Sequence, residues 1–456
     1  MSRLRCLGGL LISTIGLGLN HAHAAEGERP ISFIRDVAPI LVQRCESCHG
    51  AKKSESSYRV DTVASLMEQA DYGERQVTAG NLEESLLWRL VNSDDRGERM
   101  PLDGDPLPKT ELDAIRTWIE QGAKVDVPNP ALPLASQLPR AEYTAAPQAY
   151  RAAVPITALA IEPESGNVLV SGYRELSIWN TEDGTLLQRM PKITERSAEL
   201  EYFATPRQLA TSGGIPGVYG EVRLLDGSDF SERRLLVKTS DTVLGIAVRP
   251  DGQELAAALP DFTLRVYELD SGKERLKIEA HGDRIHSVNW SPDGTQLVSA
   301  SGDHTTKVFD ANTGTLVVNY AGHKSVVFDA LFSPEGTHVF SAGGDGKIHY
   351  WAVANGARQA LLAHADAVHG LQIVGDSLFS MSADRTARQF DWAKRTQVRS
   401  YDKHNDWVTA LAVDSTRQRL VTGTFNGEVH VWNMQDGSEI TRFLAAPGLS
   451  KVTVVP

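Results

Sequence analysis

Cys45-Glu46-Ser47-Cys48-His49 is the stretch of this chain whose residue types and spacing point most directly to chemistry. Two thiols three positions apart, on the first turn of a helix, can each add to one vinyl group of a haem. The following imidazole then meets the iron from the same side. A disulfide or half of a zinc site are the competing readings. Zinc wants two further Cys or His ligands nearby, and residues 25–126 contain no other cysteine or histidine. The expected cofactor is therefore one covalently bound haem c, with Cys45 and Cys48 as thioethers and His49 as an iron ligand.

The opposite face of the iron needs a partner. With no second histidine in this region, bis-histidine ligation would have to borrow one from elsewhere in the chain. Two methionines lie here, Met67 and Met100. Met67 ends the apolar run Val63-Ala64-Ser65-Leu66-Met67, where a core role is expected. Met100 sits in Arg99-Met100-Pro101 within a Gly-, Asp- and Pro-rich loop, which can hold a thioether over the haem, and it is the favoured ligand. A His/Met pair fills both axial positions, which suits electron transfer better than oxygen or peroxide chemistry.

The elements that must position these groups read as short helices. Phe33, Val37, Ile40 and Leu41 share a face after the start signals Pro30 and Ser32. Asn81 with Leu82, Leu86, Leu87 and Leu90 suggests a second helix. Thr110-Glu111-Leu112-Asp113 resembles a capping box opening a third, with Trp118 beside its apolar stripe and Gly122 placed to stop it. Ahead of them, Arg3 and Arg5, an apolar run Leu7 to Leu19 and Ala22-His23-Ala24 have the form of a cleavable signal, which predicts a periplasmic or otherwise exported protein. No other apolar run is long enough to span a bilayer, so no transmembrane segment is expected after cleavage. A net charge of −12 argues against a nucleic-acid partner.

Residues 127–150 carry five prolines and read as an extended, semi-rigid linker. From about residue 154 the sequence repeats. Strand-like units end on Trp179, Tyr267, Phe309, Trp351, Phe390 and Trp432, and the first gap, 88 residues, hides a unit centred near Leu225. An Asp or Asn precedes five of these aromatics by six residues, and His281, His323, His364 and His404 open four units. This pattern resembles the WD40 repeat, which implies a seven-bladed all-β propeller over 151–456 that docks a protein partner. By that resemblance the four histidines hydrogen-bond to the turn aspartates. His286, His304, His338, His349, His369 and His430 follow no such rule.

Phe33-x-x-Asp36-Val37-x-Pro39-Ile40-Leu41 ahead of the Cys-His motif, Gly80 before Ser85-Leu86-Leu87, Met100-Pro101, and Trp118-Ile119-x-x-Gly122-Ala123 together resemble the planctomycete-type cytochrome c domain. Leu102 stands where that family commonly has a second proline. The resemblance implies a small all-α class I-like fold over 25–126, after a signal peptide at 1–24, and assigns Cys45, Cys48, His49 and Met100 their roles. The expected function is an exported monohaem electron-transfer protein with redox partner proteins, carrying a propeller as interaction scaffold. The alternatives are an oxidoreductase whose propeller holds a substrate or second-cofactor site, and a haem-based redox sensor. No nucleophile elbow, phosphate loop or paired-carboxylate motif marks a catalytic centre.

Overall fold

The computed structural model describes residues 31–46, 48–50, 58–68, 74–102, 104–138, 145–204 and 207–449; the expected signal at 1–24 lies outside the described residues. Ser32 starts the helical region as an N-cap, its hydroxyl accepting from the Arg35 N–H and donating to Asp126. A π-helical turn, Phe33–Val37, runs into α1, Ala38–Arg44. Then come α2, Val63–Leu66, α3, Leu86–Val91, and α4, Lys109–Glu120. Phe33, Val37 and Leu41 are fully buried, as their spacing implies, and Trp118 joins them, its ring centroid 5.0 Å from that of Phe33.

Three local expectations shift. The second helix begins at Leu86, not Asn81. Asn81 instead closes a turn in which the Ser85 hydroxyl donates to the Asn81 carbonyl and accepts from the Thr78 N–H. The third helix starts at Lys109 behind Pro108, so Thr110 lies inside it and caps nothing. Gly122 does end it, with φ +94°. Met67 does not enter the core. It is 44% exposed, because α2 is a single turn whose buried residues are Val63 and Leu66, and the chain leaves that face at position 67.

The Pro-rich segment also departs from an extended tether. Residues 129–134 run along 61–64: Ala64 N–H donates to the Pro130 carbonyl at 3.0 Å and Leu134 N–H to the Asp61 carbonyl at 2.7 Å. A one-turn helix, α5, Leu134–Gln137, follows, and Leu134 is fully buried in the helical domain's core. Prolines at 130 and 133 fix extended backbone while leaving their carbonyls free to accept, so the segment lines the domain instead of hanging from it.

Between Leu159 and Leu444 lie seven four-stranded antiparallel sheets, each built from four consecutive strands. The aromatics that mark the repeat all fall on third strands. Each faces an aliphatic of the second strand (Leu255 and Tyr267, Val339 and Trp351, Leu420 and Trp432), and a bulge precedes each. Leu225 takes that place in blade 2, opposite Leu209. The ring closes without exchanging a strand among the described residues. Gln148–Val154 supply none, and Lys451–Val455, the other candidate, lie outside those residues. Instead Thr409 of blade 7 donates to the Ile156 carbonyl of blade 1 at 2.6 Å, and Tyr150 N–H donates to the Pro447 carbonyl at 3.0 Å.

The repeat-opening histidines behave as the resemblance implies in three blades. His281, His323 and His364 meet Asp303, Asp345 and Asp384 through Nδ1 at 2.8–3.2 Å, and Ser299, Ser341 and Ser380 through Nε2 at 2.7–2.9 Å. His404 departs: its turn residue is Asn426, and its Nδ1 faces the Arg385 carbonyl at 3.1 Å. Burial alone would raise the Asp303 carboxyl, but Thr305 and His281 bring it down to about 2. Burial pushes the His404 imidazole down to about 4, and neighbouring His430 adds to this.

Candidate haem site

The Cys45–His49 motif sits at the end of α1 rather than at the start of a helix. Cys45 and Glu46 N–H groups converge on the Leu41 carbonyl, which ends the regular ladder. His49 N–H then donates to the Cys45 carbonyl at 2.9 Å, restoring one helical turn across the motif. Ser47 lies outside the described residues. The two thiols are not joined in a disulfide. Burial, reinforced by Glu111, pushes the Cys45 thiol up to about 12, so it remains a protonated thiol at neutral pH.

His49 is held at both ends. Its carbonyl accepts from the Val60 N–H at 2.9 Å, and its Nδ1 lies 3.1 Å from the Tyr58 carbonyl. The Tyr58 ring stands edge-on to the imidazole, with centroids 5.2 Å apart. With Nδ1 donating to a carbonyl, the tautomer leaves Nε2 as a lone-pair donor, the arrangement that orients a metal-ligating histidine.

Met100 is half-buried against the same core, and its N–H donates to the Leu90 carbonyl at 3.0 Å. Its loop is ordered by Asp95, whose side chain accepts from the Gly97 N–H at 2.8 Å and whose carbonyl accepts from the Arg99 N–H at 2.8 Å. Asp95 thus braces the loop that carries the thioether. The Asp-x-Gly spacing, Asp95-Arg96-Gly97, is the local signal for this brace.

A haem fits the donor set and its surroundings. Buried polar atoms without a partner include Glu46 Oε2 inside the motif, Tyr58 Oη beside His49 and Arg99 Nε next to Met100. Polar atoms in the interior are ordinarily satisfied, so unmatched ones beside these residues are consistent with a missing polar group such as a haem carboxylate. Burial, with Asp61 and Asp261 nearby, raises the Glu46 carboxyl to about 7.

Asp261 belongs to a turn of propeller blade 3, so the motif stands close to the propeller. A second contact is made where α5 packs on the outermost strand of blade 2, Glu232–Thr239, and the Lys238 ammonium donates to the Leu138 carbonyl.

Two histidines without a rule in the sequence take a shared place here. His286 and His369, with Phe328 between them, line the mouth of the propeller channel. They lie five residues after His281, His364 and His323, a repeat position that could have been read from the sequence.

Comparison with known proteins agrees with both halves. A family profile described as Planctomycete cytochrome C matches residues 45–104, and the WD domain, G-beta repeat, matches 272–310, 314–352 and 395–433. Each repeat match starts on the outer strand of one blade and ends on the third strand of the next. Among curated proteins, kinesin-like protein KIF21A of Homo sapiens is 36% identical over 72 residues, 16% of this chain. Kinesin-like protein KIF21B of Homo sapiens is 33% identical over 78 residues, 17% of this chain. The chain spans 4% and 5% of the lengths of those proteins, too little to carry an activity across. The cytochrome match implies a haem cofactor, and no helix among the described residues is long and apolar enough to cross a membrane. The chain therefore joins a planctomycete-type cytochrome c domain to a seven-bladed WD40 propeller.

Proposed function

We propose that this protein is an exported monohaem c-type cytochrome that transfers electrons to or from a redox partner, with the propeller as the surface that docks it. Cys45 and Cys48 carry the single haem through thioethers, and His49 and Met100 are its axial ligands. The reading rests above all on the His49 imidazole, which the Tyr58 carbonyl holds with Nε2 left for a metal. Haem supplies one-electron chemistry when bound. The chain's own residues set how it is held: Tyr58 fixes the imidazole, and the Asp95-braced loop brings the thioether. Export rests on the N-terminal residues, which predict a mature chain beginning at position 25 or 26. The haem domain is 25–126, joined to the propeller at 151–456 by the segment 127–150, whose residues 129–138 pack on the haem domain.

The test is spectroscopic. Protein matured in an exporting host should keep its haem through acid-acetone extraction, and its oxidised form should show the weak far-red band of Met–iron ligation. Met100→Ala should remove that band and lower the potential while the haem stays covalently attached. If Met67→Ala removes the band instead, the ligand assignment fails. A second reading, an oxidoreductase with a site in the propeller, is favoured by the cavity containing His286 and His369. A second cofactor found by mass or metal analysis would promote it.

A further inference from the structure

A cavity of about 580 Å³ opens at the mouth of the propeller channel, within the range of roughly 300–1,000 Å³ usual for small-ligand sites. One wall is an arc of rings. His286 and His369 each meet Phe328 edge-on, at 5.4 and 5.5 Å between centroids. Trp407 stands 6.2 Å beyond His369, and Phe425 5.6 Å beyond Trp407. These last two rings are 46% and 48% exposed, so the rim presents aromatic surface to solvent. The opposite wall includes Arg196, and also Glu195, already engaged by Arg174 at 2.8 Å.

The innermost strands of blades 2 and 5 carry two carboxylates, Glu199 and Asp329, each next along the chain from a wall residue, Ala198 and Phe328. Each carboxylate bridges the innermost strand of its own blade to that of the next, where the strands border the channel. Each uses an oxygen to accept a backbone N–H from the following blade: Glu199 from Ile246 at 2.9 Å and Asp329 from Leu371 at 2.8 Å. No lysine, arginine or histidine among the described residues forms an ion pair with either. Burial pushes both carboxyls up, as expected of enclosed negative charge with no cation to offset it.

Aromatic faces above carboxylates suit a cation, through the ring quadrupoles and direct charge attraction. We propose that this mouth binds one lysine or arginine side chain, presented by an extended segment of the partner that the propeller docks. The proposal rests on the scaffold reading and names the chemistry of its partner. Arg196 on the far wall disfavours a run of several cations, so the recognised residue is a single basic one among apolar or acidic neighbours. Leu244 of the cavity wall precedes the innermost strand of blade 3, at the same end of that blade as the Asp261 turn near Glu46. A segment held here would bring its protein alongside the haem domain.

The test is a display selection of seven-residue peptides against the full-length holoprotein. Enriched sequences should share one Lys or Arg, and a synthesised winner should bind more weakly as salt rises. Its affinity should drop at least tenfold when the basic residue becomes norleucine, and equally in Glu199→Gln/Asp329→Asn. Trp407→Ala, at an exposed ring, should weaken it several-fold with an unchanged melting profile. It decides the matter together with the norleucine peptide if the double variant fails to fold. Winners without a basic residue, or winners indifferent to these changes, overturn the proposal and leave the scaffold reading standing. A selection that enriches nothing overturns both.

Discussion

In three propeller blades the histidine, aspartate and serine that mark the repeat find partners within their own blade, while in the helical domain unmatched atoms stand beside the residues assigned to haem. His364, for example, is tied to Asp384 and Ser380, and Asp384 in turn to Thr386 and Arg388. Glu46, Tyr58 and Arg99 have no such closure. The elements differ too. Among the described residues only α4, with 12 residues, exceeds two turns as a regular α-helix in the helical domain, and helices as short as the others have little stability of their own. Each propeller sheet, by contrast, packs apolar faces against the next, as Ala300 and Val308 of blade 4 do against Val327 and Trp351 of blade 5. Unmatched buried atoms occur in both halves, but in the helical domain three of them stand at the residues assigned to haem.

The largest expected effect follows from that contrast. In Cys45→Ser/Cys48→Ser, which prevents covalent attachment, the helical domain should lose its cooperative unfolding transition and become protease-sensitive, with the propeller transition retained. An unchanged helical transition would break the comparison. Acid should act on the other half. His349 and His404 are buried with imidazoles lowered to about 4, from an ordinary 6.5, chiefly by burial. The unfolded chain therefore binds more protons between those values. These histidines should cost the propeller stability as pH drops from 6.5 towards 4, by up to about 3 kcal/mol each, while the raised carboxyls of Glu199, Glu201 and Asp329 act in the opposite direction. Urea unfolding across that pH range reads this directly. The helical domain, with His49 as its one histidine, should show little of this slope.

A smaller loss is expected on opening one blade network. Asp384→Ala strips a partner from buried His364 and should cost about 1–3 kcal/mol in the propeller transition, leaving the haem spectrum unchanged. Smallest of all, Met67→Ala should shift stability by no more than about 0.5 kcal/mol, since that side chain is half-exposed. A larger loss would mean that Met67 contributes to the site after all.

The parts legible in the sequence were those set by short-range chemistry. The Cys-His motif, the Pro-flanked methionine and the aspartates six residues ahead of the repeat aromatics are local patterns. Helix limits were less legible. Asn81 and Thr110 are good caps by type, yet Ser85 packs its hydroxyl into the turn before α3, and Pro108 supplies the bend before α4. Trp118 was placed beside the apolar stripe because periodicity does not reveal that Phe33, 85 residues earlier, meets its ring.

Residue type, spacing and the repeat resemblance were enough for the haem-type motif, the count of seven blades and three of the four histidines bound into them, because each depends on neighbours within one turn or one repeat. Tertiary structure decided the remainder. Residues 129–138 became a wall of the helical domain through contacts with 61–64, and the ring closed through Thr409 and Ile156, 253 positions apart. His286, Phe328 and His369, unremarkable in separate repeats, came together only because seven innermost strands share one axis. The Cys45–His49 motif, clear from five residues, gained its neighbour Asp261 by the same route: packing brings together groups that no local pattern connects.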